Sequence, residues 1–349
     1  MYSDPNALLR VGRKVAAAVI GLVAASVLAI ATAQELPQNA AEALDRGEAL
    51  VAEALATYDA QYPDRPLWRQ AFAEGRAAMD LAPGHPEPMR FLARAYSLSN
   101  WHGPAVDMWQ AFLGASGEFA EDDAELYSRS AIEYAYAAYQ VGDLELAAER
   151  YEQITTVLPE NVEAHRWLGR ILLEMRLPEQ AVAAWRTVVE LEPGSPGAEY
   201  FLELSQAQAR WGVDAANSFY AGVAAYEAGD LTRARNSFAA ATARNDAYAA
   251  AWAWLGRVYF EQELYGDANL AYERARTLAP DVQAYQWFAR ESARLMEEGG
   301  EPAEGAPELE NPQTAPEGAD PLPGSDEDAA PDPDGSDDGP EGSSEGEGN

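Results

Sequence analysis

Few side chains in this sequence could do covalent or metal chemistry. There is no cysteine, so thiolate catalysis, disulfides and sulfur-ligated metals are excluded. Lys14 is the only lysine, and it falls in an N-terminal basic cluster; chemistry that needs an amine would have to use it. The three histidines are His85, His102 and His165. None stands in an HExxH or H-x-H spacing, which would put two imidazoles on one metal. His85 and His102 are expected in loops between helices and His165 inside one. No GxSxG elbow is present to expose a nucleophilic serine, and no Gly-rich loop closes on Gly-Lys to cradle phosphate. Paired carboxylates such as Asp122-Asp123 carry little information in so acidic a chain. The residues therefore predict no catalytic group, no metal centre and no cofactor. The function expected is non-enzymatic.

The formal net charge of −34 over 349 residues argues against nucleic acid and anionic membranes, both of which select a basic face. The charge is unevenly placed. Residues 297–349 hold 18 acidic side chains, no Lys, no Arg and no aromatic residue, with Pro, Gly and Ser between them. Such a segment has too little apolar surface to offset its ordering entropy, so a disordered acidic tail is expected there. Within it, Asp332, Asp334, Asp337 and Asp338 partly match a calcium loop but lack its closing bidentate Glu and flanking helices. The other end reads as an export signal. Arg10, Arg13 and Lys14 precede an uncharged apolar run over residues 15–30, and Ala31-Thr32-Ala33 supplies a small-x-small cleavage site before Gln34. The expected location is exported, in the periplasm or cell envelope or secreted; membrane attachment is expected only if the segment stays uncleaved.

The residues between these ends repeat every 34 positions. The interval separates Ala147 from Ala181, Tyr151 from Trp185, Pro159 from Pro193, Gly222 from Gly256, Ala234 from Ala268 and Phe238 from Tyr272. Each unit holds two apolar-periodic segments of helical length. Turns such as Val141-Gly142-Asp143 and Ala228-Gly229-Asp230 divide them, with Gly ending the first helix and Asp capping the second. Pro83, Pro159, Pro193 and Pro280 mark the ends of second helices. Neither helix buries its face alone, and stacking makes the core continuous.

These residues resemble the tetratricopeptide repeat family. Trp252, Leu255, Gly256, Tyr259, Ala268, Tyr272, Ala275 and Pro280 fill its pattern, with Glu263 in place of the usual turn Gly. The resemblance implies an all-α, right-handed superhelical solenoid of antiparallel helix pairs. The expected organisation is a signal over residues 1–33 and a degenerate helical repeat over 34–85. Three repeats follow over 86–195, with an acidic insert at about 118–127, then an extra helix or linker over 196–214. Two repeats over 215–282 and a capping helix over 283–296 precede the tail.

The same resemblance places certain first-helix positions on a concave groove. In this chain they include Arg90, Arg94, Arg129, Tyr136, Tyr139, Arg166, Arg170, Tyr226, Arg257 and Phe260. It implies an interaction scaffold that holds extended protein or peptide segments, including acidic or C-terminal ones, in cell-envelope assembly. The arrangement is similar to the carboxylate clamp of co-chaperone repeats, although that clamp's Lys and Asn are absent. A groove rich in arginine would also attract the chain's own acidic tail, tethered at high effective concentration. The competing expectation is a glycan- or wall-binding module with Trp101 and Trp109 as sugar platforms.

Overall fold

The computed structural model describes residues 35–116, 118–299, 301–303 and 305–309. The segment expected to be an export signal, the calcium-loop-like stretch and most of the acidic tail lie outside these residues. Among the described residues there are fourteen α-helices and no strand. They fall into two compact units that divide after Pro159.

The first unit holds α1 (Gln38–Thr57), α2 (Pro66–Leu81), α3 (Pro86–Leu98), α4 (His102–Ser116), α5 (Glu121–Gln140) and α6 (Leu144–Val157). They pack as the hairpins α1–α2, α3–α4 and α5–α6, and each hairpin stacks on the next. The second unit holds α7 (Val162–Glu174), α8 (Pro178–Leu191), α9 (Pro196–Trp211), α10 (Val213–Glu227), α11 (Leu231–Arg244), α12 (Ala249–Glu261), α13 (Tyr265–Leu278) and α14 (Gln283–Glu298). Here the hairpins are α7–α8, α10–α11 and α12–α13, with α9 packed between α8 and α10, and α14 closing on α13.

The turns explain where the helices stop. Gly142 and Gly229 have φ of 79° and 77°, in the left-handed region that glycine enters without steric cost. Asp143 then accepts a hydrogen bond from the Leu146 amide at 3.1 Å, and Asp230 one from the Arg233 amide at 2.9 Å, each capping the next helix. In α3–α4, α7–α8 and α12–α13 the same turn position is filled by Asn100, Arg176 and Glu263, all near φ 60°. At the far ends, α2, α6, α8 and α13 stop at Leu81, Val157, Leu191 and Leu278, two residues ahead of a proline.

One contact recurs along the second unit and sets its register. A Cβ added to Gly169 would lie 2.6 Å from Trp185, one on Gly222 2.7 Å from Phe238, and one on Gly256 2.9 Å from Tyr272. Each glycine admits a ring sixteen residues later. Each of those rings then stacks on another sixteen residues further on. Trp185 meets Phe201 at 4.7 Å between centroids, Phe238 meets Trp254 at 5.8 Å and Tyr272 meets Phe288 at 4.9 Å. This register makes α9 and α14 equivalents of the first helix of a hairpin. Buried aromatics of this size dominate the local core energy, at roughly 2–3 kcal/mol each.

The acidic insert is helical in its larger part. Its residues extend α5 to 20 residues, longer than α3 or α7 with 13 each, and Asp122 and Asp123 fall in the helix's first turn, where carboxylates favour the helix dipole.

Candidate functional site

In the first unit, α3 packs on both α1 and α5 as well as on its own partner, so one face carries the first helix of every hairpin. A pocket of about 530 Å³ opens between α1 and α3. Leu44, Val51, Leu55, Phe91 and Leu98 supply its apolar lining, and Glu48, Glu87, Arg90, Arg94 and Asp122 its charged lining. Leu55 is 45% exposed, a large apolar side chain left open to solvent. A second depression of about 560 Å³, between α10 and α11, is lined mainly by short polar groups and Arg233 and Arg244. It has none of the predicted groove residues, so the pocket on α1 and α3 is the better candidate.

The arginines on that face are already engaged. Arg90 Nε donates to Asp123 Oδ2 at 2.6 Å, and Arg94 Nη1 donates to Asp123 Oδ1 at 2.6 Å. The Asp123 side chain is only 1% exposed, whereas the two guanidiniums remain about one-third exposed. The lengthened α5 thus places a carboxylate where the sequence reading expects an external acid. Arg129, also on α5, donates to the Ser97 carbonyl at the end of α3, at 3.2 Å. Tyr136 and Tyr139 are half-buried and stack at 6.1 Å.

In the second unit, Arg166 pairs with Glu192, and the Arg170 guanidinium lies 5.3 Å from the Trp167 ring. Arg257 Nε donates to Glu261 Oε1 at 2.7 Å and to the Tyr226 hydroxyl at 3.3 Å, while Tyr226 donates to Glu261. Burial raises the Tyr226 pKa, and the hydrogen bond to Glu261 adds to the rise. Phe260 packs edge-on to Phe288 at 5.6 Å and Tyr265 at 5.5 Å. The structure brings Tyr226, Arg257 and Phe260 together on neighbouring first helices.

The histidines serve the helices. His85 is the N-cap of α3, its Nδ1 accepting from the Glu87 amide at 3.2 Å. His102 opens α4 instead of lying in a loop; burial lowers its pKa, with Glu133 opposing. His165 lies in α7. Among the described residues, no three His, Asp or Glu side chains are grouped to hold a metal ion. Trp109 is fully buried and donates through Nε1 to Ser97 Oγ at 3.0 Å, which removes it as a sugar platform. Trp101, 41% exposed, leans edge-on to Tyr96 at 5.1 Å.

Sequence reasoning misses three features here. The apolar floor from α1 escapes it because that repeat is too degenerate to assign positions, although Leu44, Val51 and Leu55 keep helical spacing. Asp123 escapes because its sequence context is merely acidic. The third lies on α14. Glu291 and Arg294 stand one repeat length beyond Arg257 and Phe260, and they bind the chain that follows the helix. Arg294 Nη2 donates to the Glu301 carbonyl at 3.0 Å, and the Ala303 amide donates to Glu291 Oε1 at 2.8 Å. Leu309 packs against the cluster of Ala253, Ala268, Tyr272, Ala275, Phe288 and Ala289.

A family model for the tetratricopeptide repeat matches residues 133–196 and 219–282. Among solved structures the chain is similar to YrrB, described as a repeat protein of this kind with an unusual peptide-binding site. The identity is 18%, covering 63% of this chain and 98% of that one, with a TM-score of 0.27. It is also similar to PilF of Pseudomonas aeruginosa, at 18% identity over 73% of this chain and 100% of that one, TM-score 0.27. A tetratricopeptide repeat protein of Parabacteroides merdae is 13% identical over 74% of this chain and 100% of its own, TM-score 0.33. No curated protein matches the chain by sequence. The matched segments coincide with the 34-residue interval and the glycine–ring contacts: residues 133–196 and 219–282 are tetratricopeptide repeats.

Proposed function

We propose that this protein is an exported scaffold that binds extended segments of other proteins on the exposed faces of its first helices, in assembly of the cell envelope. The observation that carries the reading is the pocket of about 530 Å³ on α1 and α3, where an open apolar floor meets charged walls. An extended peptide can place apolar side chains on Leu44, Val51, Leu55 and Leu98 while its main chain and polar groups meet the rim. The reading differs from an acid-binding clamp, because Asp123 already engages Arg90 and Arg94.

The test is capture from a detergent-solubilised envelope fraction by the wild type and by Leu55→Asp, which changes an exposed residue and should leave the fold intact. Partners held by the wild type and lost by the variant support the reading. An identical set overturns it for this pocket. Protease treatment of the fraction separates the alternative, since captured glycan survives it and captured peptide does not.

Export is proposed on Arg10, Arg13, Lys14, the apolar run after them and Ala31-Thr32-Ala33. Mature protein outside the cytoplasm beginning at Gln34 is expected by N-terminal sequencing. Cytoplasmic protein that keeps residues 1–33 would reject it.

A further inference from the structure

The segment after α14 turns back onto the second unit and is held there by three contacts of different kinds. The Glu301 carbonyl takes a hydrogen bond from Arg294, the Ala303 amide gives one to Glu291, and Leu309 covers the last apolar cluster. Pro307 and Leu309 are half-buried, whereas the other described residues of the segment are exposed. Glu291 is itself buried and pairs with Arg294 at 2.6 Å, so the anchor is a preformed ion pair with one carboxylate oxygen turned to the segment's main chain.

The register gives this contact its meaning. Glu291 and Arg294 occupy, on α14, the positions that Arg257 and Phe260 occupy on α12, and those are predicted groove positions. The stacked rings Phe238–Trp254 and Tyr272–Phe288 fix that correspondence. The segment is therefore chain lying on the face that the first helices present. Its recognition is not by charge: Arg294 bonds the Glu301 carbonyl, not its carboxylate, and the contact with the apolar cluster is a leucine.

We propose that the face of α14 and its neighbour α12 is a peptide-binding site whose resting occupant is the chain's own segment 301–309. Its partners are then extended, proline-spaced segments that end in a large aliphatic side chain and bind by displacing the occupant. Main-chain hydrogen bonds to the Glu291–Arg294 pair hold such a segment, and the apolar cluster selects its leucine. The tether keeps the occupant at about millimolar effective concentration, so a partner must bind more tightly than that competitor. The inference rests on reading first-helix faces as binding faces, but it concerns a surface in the other unit from the α1–α3 pocket.

A fluorescein-labelled synthetic peptide of residues 301–309 serves as the probe, read by anisotropy against the full chain and against the full chain carrying Leu309→Asp. Leu309 lies outside every helix, so this variant keeps the helices; matching far-ultraviolet circular-dichroism spectra below the melting transition establish that. The variant is expected to bind the probe at least fivefold more tightly than the wild type, because its own segment no longer covers the cluster. A probe with the same Leu→Asp change should bind neither chain. Equal affinity of the two chains, equal binding of the two probes, or no binding by either chain overturns the proposal. If the probe fails while capture sensitive to Leu55→Asp persists, the cis occupant is rejected and the scaffold reading stands.

Discussion

A single buried carboxylate, Asp123, decides the electrostatics of the first unit. Two guanidiniums converge on it, and removing it leaves both without their acceptor. Because the arginines are partly exposed, water recovers some of the loss, and Asp123→Ala should destabilise the chain by about 2 kcal/mol, measured by urea unfolding. Glu291 is a buried carboxylate of the second unit. The hydrogen bond from Arg294 holds its carboxyl below the usual value of 4.5, and the Ala303 amide adds to the shift. A carboxyl depressed in the folded state contributes stability above its unfolded pKa and loses it as pH falls through the folded one. The Ala303 amide resonance should therefore keep its position at neutral pH and move on acidification below about pH 4.5.

The repeats set the energetics of the helices. Glu263 takes φ 59° at a turn where Gly142 and Gly229 stand in other hairpins. A β-carbon there costs about 1 kcal/mol, partly offset by the larger unfolded-state entropy of glycine. Glu263→Gly should raise stability by about 0.5 kcal/mol, seen as a higher urea midpoint with an unchanged slope. Gly222→Ala acts in the other direction. The new methyl would lie 2.7 Å from Phe238, a ring locked between two helices, and overpacking of this kind costs about 1–3 kcal/mol in thermal or urea denaturation.

Helix spacing, turn chemistry and the Gly–aromatic pairing were legible in the sequence because each repeats at a fixed interval. The exceptions are equally physical. Asn100 and Arg176 fill left-handed turn positions without the glycine that signals one. Asp123 works through tertiary contact with residues some thirty positions away, which no local pattern encodes. The candidate site was legible only in part. The family register marks Tyr226, Arg257 and Phe260, which the fold does bring together, but it says nothing about the internal partners that already engage the arginines.

For the whole molecule, the net charge is −34, with 18 acidic side chains and no basic one in residues 297–349. Like charges repel in the compact state, and the Debye length shortens from about 30 Å at 0.01 M salt to about 10 Å at 0.1 M. Added sodium chloride over that range should raise the melting temperature of the full chain, followed by circular dichroism. Binding of the 301–309 probe, itself acidic, should not weaken over the same range, since its contacts are main-chain and apolar. A steep loss with salt would instead mark recognition by the arginines.

The stacked rings joining Trp185 to Phe201, Phe238 to Trp254 and Tyr272 to Phe288 tie α8 to α9, α11 to α12 and α13 to α14, so each of these helices leans on its immediate neighbour. Order in such a row is lost from the end, as a zipper opens. The last ring pair lies beneath the terminal cluster, and Leu309 packs against that cluster. Lifting the segment therefore weakens the final link of the row, and a peptide that takes its place restores it. Occupancy of this surface would be written in how readily the array frays, and hydrogen exchange along α13 and α14 is where that record can be read.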